Sequence, residues 1–433
     1  MMVPLLLLLL TELWLVVPFG GAFITPYPMR AVATRCAGTS EDTAADVLED
    51  ADRRQNLFQF LLRDLQVEGV PLLGIEGADQ VETMQAAVWT TMAQLWTATT
   101  TTLSQGGGEQ QKACLILEEL PVDALRAFVD SFANIRAEER LTQQFPALQE
   151  FDVSLVGKGV GPAILVKVGE EPKETADETA SDGGVEDAID VTPPPTSNTQ
   201  RDDLIIAAME HFVDRVVVAS DDGIGLDRAN TVFRVSSSSD SSADTDPCHM
   251  LSSFWNAMCE LQASDADAIS SIVLCLPAMS SAQHVALAEL INRSLCLYRG
   301  DSVFELVHYH PSYDRTDVFP QVQPVFGHLS PTAWWPLIVE QFGGGDDSAP
   351  RDTTQLDLLV NYQRRSPVPA VILKRVSNMD AGEEEQLDLG DGSVAPANGI
   401  STFATSIARL VQQGEPSLQQ ELSEEVAMLT PTK

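Results

Sequence analysis

Two short patterns each occur twice in this chain, in the same order, and they restrict the fold more than any other feature. Trp89-Thr90-Thr91-Met92-Ala93-Gln94-Leu95 and Trp255-Asn256-Ala257-Met258-Cys259-Glu260-Leu261 carry Trp, Met and Leu at the same spacing. Pro162-Ala163-Ile164-Leu165-Val166-Lys167 and Pro369-Ala370-Val371-Ile372-Leu373-Lys374 both read Pro-Ala, two aliphatics, another apolar residue and Lys. Matching segments in the same order predict two similar folding units, and a residue type present in only one of them marks a candidate site.

The segments around these landmarks alternate between two periods. In the first unit, residues 54–168, the run Leu57–Leu62 opens a helix and Val70–Ile75 reads as a strand. Val81–Thr97 then has apolar residues at helical spacing, and Ala98–Gln111 reads as a polar loop. Ala113–Leu117 is a strand, Asp123–Arg140 a helix, and Phe151–Val156 and Pro162–Val168 two more strands. In the second unit, residues 201–414, helices are predicted over Leu204–Val218, Asp246–Leu261 and Ser281–Leu297. Strands are predicted over Thr231–Val235, Ile272–Leu276, Val303–His310 and the Pro369 segment. Pro247 suits the first turn of its helix, where its missing N–H has no partner to lose. A helix with Phe403, Ile407 and Leu410 on one side is expected over Ser401–Gln412. Such alternation implies an α/β class: two tandem, related small α/β layer domains with mostly parallel or mixed sheets.

Three stretches do not read as globular. Residues 1–40 form a presequence. A short apolar core at Leu5–Leu10 and Leu13–Val17 is followed by Gly21-Ala22-Phe23-Ile24-Thr25-Pro26 and an acid-free segment with Arg30 and Arg35. This order resembles the signal-plus-transit presequence of algae with complex plastids, which implies a plastid location; an ordinary secretory signal is the alternative. The acidic residues 41–53 are expected to be unstructured, and residues 169–200 a disordered linker rich in acids and Pro193-Pro194-Pro195. Residues 415–433 are expected to be a tail. No other segment is apolar enough to span a membrane, so a soluble mature protein is expected.

The formal charge of -37, from 63 acidic and 26 basic side chains, argues against nucleic acid or an anionic lipid surface as partner. The cysteines have neither CxxC pairs nor zinc spacing. Cys114 and Cys275 fall in predicted strands, Cys259 and Cys296 in predicted helices, where thiols act as small apolar groups.

The second unit alone carries polar signatures between its last two strands: His308-Tyr309-His310-Pro311-Ser312-Tyr313 and Asn361-Tyr362-Gln363-Arg364-Arg365-Ser366-Pro367-Val368-Pro369. On these residues it resembles the bacterial domain-of-unknown-function 1415 family. That family has a strand ending in His-Pro-Asp-Tyr, then Asn-Arg-Ser-Pro-Tyr-Pro, then an aliphatic strand ending in Leu-Arg. His310, Pro311 and Tyr313 match the first motif, and Arg365, Ser366, Pro367, Pro369 and Arg375 match the second. Ile407-Ala408-Arg409-Leu410 is similar to the family's closing helix. The chain has Asp221-Asp222-Gly223-Ile224 where the family has Leu-Cys-Pro-Phe, and Ile372 where it has a strand His, so a Cys/His pair is missing. The resemblance implies no reaction.

His310, Tyr313, Arg364, Arg365, Ser366 and Arg375 are therefore the candidate ligand-binding residues. Guanidinium forks suit phosphate or carboxylate, which makes a small anionic ligand the implied partner. The competing use of Arg365 is a clamp on Asp314 or Asp317. His308 and His310 share a strand face and could hold a metal with His328 or Asp314. A histidine bonded to a nearby loop is the simpler use, and no metal is assigned. Trp334-Trp335 reads as core or as an exposed patch. No nucleophile elbow, phosphate loop or cofactor motif is found. Two functions fit: a plastid ligand-binding or interaction protein without a complete catalytic set, or an enzyme for a small anionic metabolite using His310, Tyr313 and Arg365.

Overall fold

The computed structural model describes residues 41–75, 80–104, 110–169, 199–217, 226, 228–236, 246–265, 267–277, 279–298, 304–314, 359, 361–375, 386–388, 394–396, 410 and 412–430. The chain divides into Met1–Leu48 and a body, Glu49–Lys433. The expected presequence, residues 170–198 of the expected linker, His328 and Trp334-Trp335 lie outside the described residues.

Helix α1 (Glu41–Val67) begins well before Leu57, so residues 41–53 are helical rather than unstructured. It is followed by β1 (Leu72–Gly74), α2 (Val81–Ser104), β2 (Gln111–Ile116), α3 (Val122–Ala137), the short α4 (Glu139–Gln144), β3 (Phe151–Leu155) and β4 (Ala163–Val168). The second half repeats the plan with α5 (Thr199–Phe212), β5 (Thr231–Val235), α6 (Pro247–Ala263), β6 (Ser271–Cys275), α7 (Ser281–Leu297), β7 (Phe304–Tyr309) and β8 (Ala370–Arg375). Beyond it are a small antiparallel ribbon, β9 (Gln386–Asp388) with β10 (Val394–Pro396), and a final helix, α8 (Glu415–Met428), in place of the expected tail.

The first part of the expected loop, Ala98–Ser104, is also helical. Its threonines continue α2 because each hydroxyl bonds back one turn, as in Thr99 Oγ1 to the Leu95 carbonyl at 2.8 Å and Thr102 Oγ1 to the Ala98 carbonyl at 2.7 Å. A hydroxyl satisfied inside the helix no longer favours a turn.

Both sheets have four strands in the same order, β1-β2-β4-β3 and β5-β6-β8-β7. In each, the first pair is parallel and the other two pairs are antiparallel, so of the two expected arrangements, mostly parallel or mixed, the sheets are mixed. β4 follows β3 after a short connection and pairs with it antiparallel, and β8 pairs with β7 in the same sense. The correspondence extends to single hydrogen bonds. Leu117 N–H bonds the Pro162 carbonyl at 2.8 Å, and Leu276 N–H bonds the Pro369 carbonyl at 2.7 Å. Pro121 and Ser280, each four residues farther on, precede the first turns of α3 and α7.

Each sheet has one helix on its outer face. Phe58 and Leu62 of α1 cover the first, and Ile205, Met209 and Phe212 of α5 cover the second. The inner faces carry α2 and α3, or α6 and α7, and these four helices share one continuous apolar core containing Trp89 and Trp255. Thr90 and Asn256, each the residue after its Trp, meet at the seam. Asn256 Nδ2 donates to Thr90 Oγ1 at 3.2 Å, and Thr90 Oγ1 lies 2.7 Å from Ser252 Oγ. A position that touches its own counterpart is the mark of a two-fold interface, here within one chain. Ion pairs among Glu138, Arg140, Glu289 and Arg293 close one rim of the seam.

Candidate functional site

β5, β6 and β7 all end at one edge of the second sheet, and β8 starts there. The N-termini of α6 and α7 follow from the same edge. Asp246 caps α6 by accepting from Cys248 N–H and His249 N–H, each at 3.2 Å. Burial pushes its carboxyl up to about 6 despite those two bonds. Ser280 caps α7 in a reciprocal box with Gln283.

β7 delivers His310 to this edge, and Pro311 begins a turn away from the sheet. The second signature closes against it. His310 N–H bonds the Arg364 carbonyl at 3.0 Å, Tyr313 N–H bonds the His310 carbonyl at 3.0 Å, and Arg365 Nε donates to the Tyr313 carbonyl at 3.2 Å. Five of the six predicted residues, His310, Tyr313, Arg364, Arg365 and Ser366, thus belong to two interlocked segments. Arg375 does not join them. It lies at the opposite end of β8, about 17 Å away at a strand rise of roughly 3.3 Å per residue. There its guanidinium binds the Leu261 and Ser264 carbonyls at the end of α6.

The assembled residues have different surroundings. Ser366 is fully buried, and its hydroxyl donates to the Val368 carbonyl, fixing the Ser-Pro-Val-Pro segment. Tyr313 is buried, and the half-buried Arg364 lies 5.6 Å over the Tyr309 ring. Arg365 is also half-buried. Its guanidinium sits 4.7 Å over the Tyr362 ring, and Tyr362 Oη donates to Gln419 Oε1 of α8 at 2.5 Å. One nitrogen and one face are thereby fixed, and among the described residues no hydrogen bond is formed by the two terminal nitrogens. That is a fork held in advance, as a small anion requires.

Beneath this edge lie three buried imidazoles. His308 Nδ1 is 3.3 Å from His284 Nε2, and the His284 ring is 5.0 Å from that of His310. Burial, reinforced by His310, holds His284 down at about 3. Burial, then His284 and Arg364, hold His308 well below the ordinary range, and burial lowers His310. All three rings are neutral at physiological pH. Among the described residues no set of three His, Cys, Asp or Glu is arranged to hold a metal ion.

His284 escapes a search for motifs, because it stands alone on the apolar face of a helix. Comparing the halves exposes it. Four residues after their caps, α3 has Leu125 and α7 has His284. Strand register sets Leu155 against His308, and Gly157 then stands where His310 does. The first half forms the same sheet with no imidazole at these positions.

The described cysteines are all free. Burial raises the Cys114 thiol to about 12 and the Cys259 thiol to about 11, which suits them to packing rather than nucleophilic chemistry. No family model, curated protein or solved structure matches this chain, so the family resemblance rests on its motifs alone. Among the described residues no helix is long and apolar enough to cross a membrane.

Proposed function

We propose that the chain is a plastid protein that binds a small phosphorylated or carboxylated metabolite at the Arg365 edge, without a complete catalytic set. The observation that carries this reading is the Arg365 fork, anchored through Nε and Tyr362 with its terminal nitrogens unengaged by described residues. The half-exposed Arg364 and the exposed Ser312 add polar surface on the same two segments. The second half reads as a diverged relative of the domain-of-unknown-function 1415 family, and the first half as its internal duplicate. Shared strand order and matched hydrogen bonds support the duplication.

Thermal-shift measurement on the full chain with inorganic phosphate tests the function. The melting temperature should rise with phosphate concentration by mass action. Arg365→Ala should remove that rise and lower the unliganded transition only modestly. No phosphate response in the wild type, or an equal response in Arg365→Ala, would sink the reading.

A second reading, an enzyme acting on the same class of metabolite, is favoured by one contact. The Ser312 hydroxyl lies 3.0 Å from Nδ1 of the neutral His310 ring, a base within reach of a hydroxyl. Turnover of a bound phosphate ester, detected as released phosphate, would separate the two.

A further inference from the structure

This inference rests on the anion-binding reading. We propose that anion binding at the Arg365 edge is coupled to uptake of one proton by His310, with the Ser312 hydroxyl as the coupling element. The tautomer of His310 follows from its partners. Ser312 N–H points at Nδ1 from 3.1 Å, so that nitrogen carries the lone pair. The ring proton is therefore on Nε2, which faces the Met279 carbonyl at 3.3 Å. The Ser312 hydroxyl also donates to Nδ1, at 3.0 Å. In this state the hydroxyl proton points inward, and the exposed side of the oxygen presents lone pairs, which repel an anion.

A proton on Nδ1 reverses that bond. The ring then donates to Ser312 Oγ, and the hydroxyl proton turns outward as a donor. It does so on the turn whose next residue, Tyr313, anchors Arg365 through its carbonyl. The Ser312 N–H opposes the charged ring, so the proton is retained only while an anion offsets it. The proton comes from a buffer acid or hydronium, whose bond to it breaks as the Nδ1–H bond forms, and no other covalent bond changes.

The groups around His310 set the resting state. His284 of α7 lies against its ring, and His308 precedes it on β7 and bonds His284. Arg364 accepts its N–H through the backbone and Arg365 holds Tyr313. Asp314 is the nearest carboxyl along the turn. Burial disfavours a positive charge on the His310 ring, and the Met279 carbonyl offsets that only in part, until a negative charge arrives. The first half folds with Gly157, Leu125 and Leu155 at these places, so the fold itself does not require the array.

Calorimetric titration of the full chain with sulfate, whose charge is constant across the range, tests the coupling. Run in two buffers of different ionisation heat, it counts protons directly. Wild type should take up about one proton per sulfate, and affinity should rise up to about tenfold per unit as pH falls from about 8 to about 6. Ser312→Ala, which removes that donor but keeps Arg365, should bind sulfate more weakly, with no proton uptake and a flat pH profile; Ser312→Thr should restore both. His310→Gln should behave like Ser312→Ala. Sulfate binding by wild type without proton uptake, or unchanged uptake in Ser312→Ala, overturns the coupling and leaves the anion site standing. No sulfate binding by wild type overturns the anion site itself.

Discussion

His284→Leu converts one buried imidazole into the residue that the first half has at the same place, Leu125, and its effect on acid stability can be worked out. In the folded protein His284 titrates at about 3, against an ordinary 6.5. Because the folded pKa is the lower one, the unfolded chain binds the proton first. Stability from this group is therefore full above about pH 6.5 and is lost as pH falls from there toward about 3. Within that window the loss is about 1.4 kcal/mol per pH unit, so acidifying to about pH 5 costs about 2 kcal/mol from His284 alone. Asp246 acts in the opposite sense. Its folded pKa of about 6 lies above 3.8, so the folded state binds the proton first, and this term favours folding as pH drops through 6.

The assay is urea unfolding of both proteins between about pH 7 and about pH 5. Asp246 and the surface carboxylates are common to both, so the difference between the two profiles reports His284 together with its smaller influence on His308, which burial keeps neutral in both proteins. The variant should lose stability more slowly, by about 1.4 kcal/mol per pH unit. At neutral pH the gain in apolar burial is set against the lost bond to His308 Nδ1, so the slope rather than the offset carries the test. Parallel profiles would mean that His284 is not a buried neutral imidazole, and the account of the array would fall with it.

Arg375→Ala removes two carbonyl bonds at the far edge of the sheet, and should lower stability by about 1–2 kcal/mol without changing sulfate affinity; a large affinity loss by calorimetry would place it in the site after all. Glu425 is fully buried on α8 and receives Arg215 Nε at 2.7 Å and Nη2 at 3.0 Å, with His211 Nδ1 at 3.1 Å. Glu425→Ala should cost roughly 2–3 kcal/mol in urea unfolding, less than a fully isolated buried pair because Arg215 keeps Glu421 at 2.9 Å; a neutral result would show that α8 is not anchored there. A fluorescent fusion of residues 1–40 should enter a complex plastid, and Phe23→Ala should leave it in the endomembrane system; unchanged plastid import would refute the presequence reading.

The regular elements were legible where local and tertiary signals agree. Thr231–Val235 and Ser281–Leu297 match their predicted limits, because one is a β-rich run and the other has a capping box and a helical apolar face. Errors arose where a local preference was overridden. The threonine run in α2 satisfies its own hydroxyls, and residues 41–53 extend a helix that their acidity concealed. Sheet polarity was legible only as mostly parallel or mixed, because an apolar strand does not record the direction of its neighbour. Within the site, Arg365 was legible as a motif, but its platform was not: Tyr362 is fixed by Gln419, which lies far along the sequence in a segment expected to be a tail. His284 carried no local signal at all.

The seam explains how one half can tolerate polar groups that the other lacks. Burying three neutral imidazoles in place of Leu125, Leu155 and Gly157 gives up apolar burial and adds polar atoms that need partners. A small isolated domain has little surplus stability to absorb such a loss. Here both sheets face four helices that share one core, and Trp89, Trp255 and their neighbours belong to it together. Polar burial under the second sheet is therefore set against the apolar packing of both halves. The first half need not bind anything to matter, because its apolar surface supports the core behind His284, His308 and His310. On this argument a cavity cut at the seam, far from Arg365, should lower the stability of the whole body, whereas changes at Ser312 or Arg365 should alter binding with little effect on folding.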